Sequence, residues 1–272
     1  MSEALNTIRI VNLNILGHCL SAGSQAARAE DLGRAILAQG GDFAVLNEVE
    51  SSYEIAKIAY FAQMEIAVKA VASKNPTELT TILAKPGQKI DGTTDFPLDK
   101  KGEHRGALIV TQDGVAIAGA HWAYRLLRDV RLRNQQSEYT LKATEKYKKV
   151  LLAVDFNAEP WMKCRDNLTL SGFTCSQEIL NEFKQTFANP EFKDTINWFQ
   201  FLLTRLYACS IDGIYGKGFE FTDSFRFATE TDHFGETAEA VVADKRNLST
   251  GPAGSVVEFA TIPPGLLVPT SA

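Results

Sequence analysis

Short runs of alternating or continuous hydrophobic residues recur along the chain and predict a protein rich in strands. Residues 8–15 (IRIVNLNI) alternate apolar and polar side chains over β-branched positions, which is typical of a strand. Continuous apolar runs at 42–48 and 150–155 favour strands that are buried. Further strands are predicted at 65–72, 79–85, 107–111, 115–121, 210–215, 220–226 and 239–243.

Between several of these strands, the spacing of apolar residues predicts helices. Leu32, Ile36 and Leu37 fall on one face of a helix predicted over 24–39, and the following glycines at 40 and 41 are typical of a helix end. Other helices are predicted at 51–64, 134–149, 161–166, 176–188 and 196–207. Strands and helices intermix without a strict βαβ period, which predicts sheets packed face to face with helices outside.

The 272 residues contain no internal repeat, and no Pro/Gly/Ser-rich linker interrupts the body of the chain. From residue 245 the sequence becomes rich in Gly, Pro, Ser and Thr, and only 255–262 resembles a strand. We therefore expect one domain over 1–244 and a C-terminal tail over 245–272.

Composition excludes several classes of protein. A hydrophobic fraction of 45% with 22% charged residues is that of a globular chain and excludes disorder as the main state. No apolar run approaches the roughly 20 residues that span a bilayer, and the N-terminus lacks the features of a secretory signal. The four cysteines show no CxxC spacing, so we expect reduced thiols, a cytoplasmic location and no structural zinc site.

Charge is distributed unevenly. Residues 100–149 hold eleven Lys or Arg and five Asp or Glu, which gives a net charge near +6, whereas the whole chain carries −5. A mildly acidic chain with one basic stretch does not resemble a protein that coats nucleic acid. The basic stretch is either a solvated helix or one face that meets an anionic substrate.

Several predicted strands end in a polar or ionisable residue. Taken singly, such a residue has an ordinary explanation, because an aspartate caps turns and a lone histidine is commonly a structural residue. Taken together, strand ends converge at one edge of a sheet, where ligand sites concentrate. Carboxylates and an amide form an oxygen-rich site suited to Mg²⁺ or Mn²⁺, and histidines add a base and hydrogen-bond donors. The strand-end residues are Asn14, Glu48, His121, Asp155, Asn157, Asp212, Asp232 and His233.

These residues stand in the ordered motifs VNLNI, LNEV, GAHW, AVDFN, SIDGIY and TDHFG. Each motif is short, but the ordered series resembles the endonuclease/exonuclease/phosphatase superfamily, whose members hydrolyse very different phosphoesters. The resemblance implies an α/β fold: a four-layer sandwich of two mixed β-sheets that pack face to face and are flanked by helices. It also implies metal-assisted attack of water on phosphorus.

The resemblance assigns a role to each residue that matches a motif. It implies that Asp155 orients or deprotonates the attacking water, that Asn157 holds the phosphoryl oxygens, and that Asp212 pairs with a phosphate-binding histidine. It assigns metal binding to Glu48, Asp232 and Asn14, and Asn14 is also expected to contact the substrate. It assigns catalysis to Asp155, Asn157, His233, Asp212 and His121.

Three positions depart from the pattern of the superfamily. Leu16 stands where some relatives carry an aspartate, and the loss of that ligand favours a single metal ion. Val154 replaces a frequent glycine, and Thr231 replaces a serine but keeps the hydroxyl. None of these changes removes a core catalytic residue.

Two further groups near the motifs have open interpretations. Arg105 is either a phosphate clamp that binds substrate or a surface arginine. Trp122 and Tyr124 are either stacking platforms for a base or core residues, and alternation along the strand makes at least one of them a core residue.

The chain is therefore expected to be a phosphodiester hydrolase that requires Mg²⁺ or Mn²⁺ and acts on DNA or RNA. The alternatives are a phosphomonoesterase or a phosphoesterase of lipid or inositol headgroups with the same fold, and a non-catalytic binding homologue. Intact Glu48, Asp155 and His233 argue against the binding homologue.

Overall fold

The computed structural model describes residues 7–15, 22–49, 51–71, 79–122, 130–158, 162–178, 212–227 and 235–243. Four helices occur in this part of the chain: α1 (Ala22–Gln39), α2 (Ser52–Ala62), α3 (Val130–Thr144) and α4 (Lys163–Leu170). A short 3-10 turn follows at Ser176–Glu178. The first six strands are β1 (Thr7–Asn14), β2 (Phe43–Val49), β3 (Glu65–Val71), β4 (Leu79–Ala84), β5 (Ile90–Pro97) and β6 (Arg105–Thr111). The other six are β7 (Val115–His121), β8 (Lys149–Asp155), β9 (Thr174–Cys175), β10 (Asp212–Lys217), β11 (Phe219–Phe227) and β12 (Gly235–Val242).

The described strands form two six-stranded sheets. The first sheet has the order β11-β12-β1-β2-β4-β3, and the second has the order β5-β6-β7-β8-β10-β9. Each sheet is mixed, because β1 and β2 run parallel in the first and β7 and β8 run parallel in the second, while the other pairs are antiparallel. Because β1 and β2 run in the same direction, their C-terminal ends lie side by side in the first sheet. The C-terminal ends of β7 and β8 lie side by side in the second sheet for the same reason.

Three apolar clusters hold the layers together. The cluster between the sheets includes Ile10 and Val45 of the first sheet and Ile117 and Ala153 of the second. The outer face of the first sheet packs against α1 and α2, and the outer face of the second packs against α4. These layers confirm the predicted four-layer sandwich of two mixed sheets flanked by helices.

Most predicted elements lie within a few residues of the observed ones, and β7 has the predicted bounds. Strand β5 was not predicted, because its sequence IDGTTDFP is polar and it forms the exposed edge of the second sheet. Helix α3 begins four residues before the predicted position and ends five residues earlier. The predicted helix over 196–207, most of that over 176–188 and the strand at 255–262 lie outside the described residues.

The chain divides into two compact units, residues 1–242 and 243–272. The second unit is described only at residue 243, so the predicted single domain over 1–244 and the tail over 245–272 stay predictions. Among the described residues, no helix is long and apolar enough to cross a membrane.

Candidate metal and phosphoester site

Five of the predicted site residues meet at one edge of the sandwich: four lie at or near strand ends, and the fifth, Asn157, follows β8. Asn14 ends β1 and Glu48 lies near the end of β2 in the first sheet, while His121 ends β7 and Asp155 ends β8 in the second. The register pairs Asn14 with Asn47 of β2, and it pairs His121 with Asp155. The site is therefore assembled from two sheets and from parts of the sequence more than a hundred residues apart.

Strand alternation turns three of these side chains inward. Ile10, Ile117 and Ala153 belong to the core between the sheets. Residues an even number of positions further along the same strands face the same way, which places Asn14, His121 and Asp155 at the polar end of that core. The apolar core thus ends in a polar layer at the edge of the sandwich.

Glu48 reaches this layer through a backbone irregularity. Leu46 packs on the outer face of the first sheet, so regular alternation would turn Glu48 outward as well. The register between β2 and β4 shifts between Leu46 and Val49, and Glu48 has a φ of 57°. Asn157 has a φ of 45°, so two site residues adopt the left-handed region that non-glycine residues rarely occupy. Such conformations cluster at functional sites, where the surrounding structure maintains them.

Hydrogen bonds join the site across the two sheets. Asn14 Nδ2 donates to Asp155 Oδ2 at 2.8 Å and to Glu48 Oε1 at 3.0 Å. The backbone N–H of Asn157 donates to the other oxygen of Asp155, Oδ1, at 3.0 Å. The fully buried Asp155 carboxylate is therefore fixed in orientation by donors on both oxygens.

His121 lies between the two carboxylates. Its Nε2 is 3.4 Å from Glu48 Oε1 and 3.6 Å from Asp155 Oδ2. The side-chain amide nitrogen of Asn157 lies 3.1 Å from the same ring nitrogen and donates to the carbonyl of Trp122 at 2.9 Å. The ring is thus held at the centre of the site.

Glu48, His121 and Asp155 form a group that fits a divalent cation. One ligand atom from each of the three lies within 4.8 Å of the others. Two carboxylates this close repel each other unless a positive charge lies between them. Carboxylate oxygens suit Mg²⁺ or Mn²⁺, and the imidazole nitrogen adds a donor that suits transition-metal ions. The sequence predicted Glu48 as a metal ligand but assigned His121 and Asp155 to catalysis, so the structure adds two candidate ligands.

Two other predicted site residues lie at the same edge. Asp212 is buried and stands opposite Asp155 in the register of β8 and β10.

Arg105 begins β6 and lies near the level of His121. Strands β6 and β7 are antiparallel and Ala107 pairs with Gly119, so the position of Arg105 corresponds to that of His121. The Arg105 guanidinium pairs with Asp95 of β5, and this hydrogen bond is the main cause that holds the pKa of the Asp95 carboxyl below its usual range. Arg105 is thus partly neutralised at the rim.

Asp232, His233, Leu16 and Tyr124 lie outside the described residues, so the predicted roles of Asp232 and His233 stay predictions. Trp122 is a core residue, because it is buried in the outer apolar cluster of the second sheet, where it meets Phe156 edge to face.

Glu236 is a buried carboxyl beside this site that sequence reasoning missed. It is 2% exposed, stands opposite Asn12 in the register of β1 and β12, and accepts a hydrogen bond from Ser176 Oγ at 2.6 Å. The pKa of Glu236 is raised to about 7, chiefly by burial and in smaller part by the charge of Asp212, against the opposing effect of the Ser176 hydrogen bond. The signal in the sequence was a glutamate in alternation with Ala238 and Ala240 on the buried face of a strand.

Arg165 supports the segment that follows Asp155 from the helical layer. Its Nη1 donates to the carbonyl of Ala158 at 3.1 Å, and its guanidinium lies 4.6 Å from the centroid of the Phe156 ring. Its Nε donates to the hydroxyl of Tyr215 at 3.0 Å. This buried arginine fixes the loop that carries Asn157.

Comparisons with known proteins agree with this architecture. No protein-family profile and no curated protein sequence matches the chain. An endonuclease/exonuclease/phosphatase family protein from Bacteroides thetaiotaomicron superposes with a TM-score of 0.67 at 14% identity, over 89% of this chain and 100% of the other. A mannosyl-6-phosphatase from the same organism gives 0.64 at 14% identity, over 86% and 99%.

The catalytic domain of human Nocturnin, solved with a bound sulfate anion, gives a TM-score of 0.66 at 14% identity over 87% of this chain and 95% of that chain. The chain therefore has the fold of the endonuclease/exonuclease/phosphatase proteins, which confirms the resemblance carried by the six motifs.

Proposed function

We propose that the chain is a phosphodiester hydrolase that requires Mg²⁺ or Mn²⁺ and acts on DNA or RNA. The observation that carries the proposal is the group formed by Glu48, His121 and Asp155, whose ligand atoms lie within 4.8 Å of one another at one end of this fold. The fold of proteins described as nucleases and phosphatases and the motif order support phosphoester hydrolysis, and the basic stretch over 100–149 supports a nucleic-acid substrate.

At the proposed site, the negative charge of the phosphodiester must be offset and the attacking water molecule must be positioned. A divalent cation held by Glu48 and His121, with Asn14 and Asp232 beside it, would polarise a non-bridging oxygen and offset the negative charge that develops on the phosphoryl oxygens, while Asp155 remains available to the water. Asp155 orients the attacking water and accepts its proton, and a positioned base of this kind contributes roughly 10²–10⁴-fold. The bond from phosphorus to the leaving oxygen then breaks.

Donors of the chain itself complete the site. The amide of Asn157 and the ring of His233 are proposed to bind the non-bridging oxygens, and Asp212 is proposed to hold His233 in its cationic form. Arg105 is proposed to bind substrate at the rim, where release from Asp95 would free its guanidinium for a phosphate.

The test is a panel of substrates with and without added metal. Supercoiled plasmid, a single-stranded oligonucleotide and bis-para-nitrophenyl phosphate are incubated with the enzyme in EDTA, Mg²⁺ or Mn²⁺. We expect metal-dependent cleavage of the nucleic acids, which is lost in Asp155→Asn and kept in Glu65→Gln, a control at the opposite end of the first sheet. Metal-dependent turnover that is confined to phosphomonoesters would contradict the proposal.

A phosphomonoesterase is the second candidate. It is favoured by the likeness to the mannosyl-6-phosphatase, which shares the fold over 86% of this chain. A small phosphorylated sugar and para-nitrophenyl phosphate in the same panel distinguish the two, because a monoesterase releases inorganic phosphate from both.

A further inference from the structure

An exposed tyrosine at the start of α2 has one lysine against its ring, and a second lysine reaches the serine that precedes it. Tyr53 is 66% exposed, so its ring is accessible to a ligand. The Lys57 ammonium lies 5.5 Å from the centroid of the Tyr53 ring. The Lys69 ammonium of the neighbouring edge strand β3 lies 3.4 Å from the hydroxyl of Ser52. One aromatic ring and two positive charges therefore form a small patch, which we call the Tyr53 patch.

The patch lies at the same edge of the first sheet as the candidate site. Tyr53 follows Glu48 by five residues, and five residues span at most about 17 Å. The C-terminal end of β3 lies at the same edge of the sheet as the C-terminal end of β2. Val71 of β3 and Val49 of β2 both pair with Leu79 of β4, which lies between them. A substrate chain that leaves the site can therefore reach the ring.

Among the described residues, the charged side chains seen against Tyr53 and Ser52 are positive. The acidic residue in the first turn of α2 is Glu54, and its side chain is 2% exposed and pairs with Arg28 at 2.6 Å. Its negative charge is thus directed into the protein and compensated there. The core of a protein–protein interface is depleted in charged residues, whereas an aromatic face flanked by cations is the arrangement that binds single-stranded nucleic acid.

We propose that the Tyr53 patch binds the single-stranded part of a nucleic-acid substrate, with a base stacked on Tyr53 and phosphates near Lys57 and Lys69. This inference rests on the proposed nuclease function and adds a strand-binding surface to it. A stacked base needs no particular sequence, so the patch favours oligonucleotides over small phosphodiesters without selecting a base.

Binding is tested apart from cleavage. The anisotropy of a fluorescent oligothymidylate is titrated with the enzyme in EDTA, for the wild type, Tyr53→Ala, Tyr53→Phe and Lys57→Ala. Loss of a stacked base, worth about 1–3 kcal/mol, corresponds to roughly 5- to 150-fold weaker binding for Tyr53→Ala, while Tyr53→Phe keeps the ring and stays within about twofold. Lys57→Ala should lower the salt slope of log Kd by about 0.7.

Tyr60→Ala is the matched control. Tyr60 is 76% exposed on the same helix, and its position seven residues further along places it about 10 Å from Tyr53, away from the site. Equal losses for Tyr53→Ala and Tyr60→Ala, an unchanged Kd for Tyr53→Ala, or no binding by the wild type would each overturn the proposal. Hydrolysis of bis-para-nitrophenyl phosphate with added metal reports on the proposed chemistry separately, so a failure of the patch is distinguished from a failure of the enzyme.

Discussion

The side-chain amide of Asn14 links the two sheets of the sandwich by donating to Asp155 at 2.8 Å. The same nitrogen donates to Glu48 at 3.0 Å, so one neutral amide separates two carboxylates at the proposed metal site. This arrangement makes Asn14 a sensitive probe of the charge balance there.

Asn14→Asp should destabilise the protein when no metal is present. A third carboxylate replaces the donor to the other two, and a buried group that loses its partner costs about 1–3 kcal/mol. Urea unfolding in EDTA measures this loss, and added Mn²⁺ should restore more stability to the variant than to the wild type. Equal stability of the two proteins in EDTA would show that the amide does not hold the carboxylates apart.

His121 should contribute directly to metal affinity. Its ring nitrogen lies within 4 Å of both carboxylates, at 3.4 and 3.6 Å, so His121→Ala removes one candidate ligand. We expect Mn²⁺ binding, measured by calorimetry, to weaken by at least about tenfold. His104→Ala, a histidine outside the cluster, serves as the control, and equal affinities in both variants would remove His121 from the ligand set.

Glu236 should give the protein a distinct pH dependence of stability. Burial raises the pKa of Glu236 from 4.5 to about 7, so between these values the folded state binds more protons than the unfolded state. The free energy of unfolding of the wild type therefore falls as the pH rises through this window. The Glu236→Gln variant has no carboxyl at this position and should not show that fall.

The comparison is made by urea unfolding of both proteins at several pH values. The variant should gain roughly 2–3 kcal/mol relative to the wild type between about pH 5 and about pH 8. The exposed Glu220→Gln is the control and should follow the wild type. Parallel curves for the wild type and Glu236→Gln would show that the Glu236 carboxyl is already ionised near pH 5.

Substitutions of Asp212 and His233 should reduce turnover non-additively, as expected of two residues that act as one unit. If Asp212 orients His233, each single variant, Asp212→Asn or His233→Ala, should reduce turnover, the latter by roughly 10²–10³-fold. The double variant should lose little more than the worse single variant, with circular dichroism as the folding control. A loss equal to the product of the two single losses would mean that the residues act independently.

The sequence predicted the parts of the fold whose local pattern agrees with their environment. Strand β7 and the ends of β1 and β8 follow from alternation or from continuous apolar runs, and their final polar residues fall at the predicted edge. Alternation alone cannot predict the inward turn of Glu48, because that turn depends on a bulge against β4. The position that Glu48 shares with His121 and Asp155 is likewise a property of two sheets in contact.

Other features were hidden because the tertiary structure overrides the local pattern. The polar strand β5 forms only because β6 offers it an edge. Glu236 occupies the buried face of β12, where a carboxyl is tolerated because Ser176 from the other side of the sandwich donates to it. The residues of β5 carry no strand signature, and the alternation of Glu236 with Ala238 and Ala240 does not by itself show that a carboxyl is tolerated there.

The most direct test of the metal site compares Glu48→Gln with Glu65→Gln. The amide keeps the size of the side chain but removes a charged ligand from the site, whereas Glu65 lies at the exposed start of β3, at the opposite end of its sheet. Mn²⁺ affinity is measured by calorimetry, and hydrolysis of bis-para-nitrophenyl phosphate is followed in the same samples. The account predicts that Glu48→Gln weakens Mn²⁺ binding by at least about tenfold and lowers turnover by at least about a hundredfold, while Glu65→Gln matches the wild type. Unchanged Mn²⁺ binding and turnover in Glu48→Gln would contradict it.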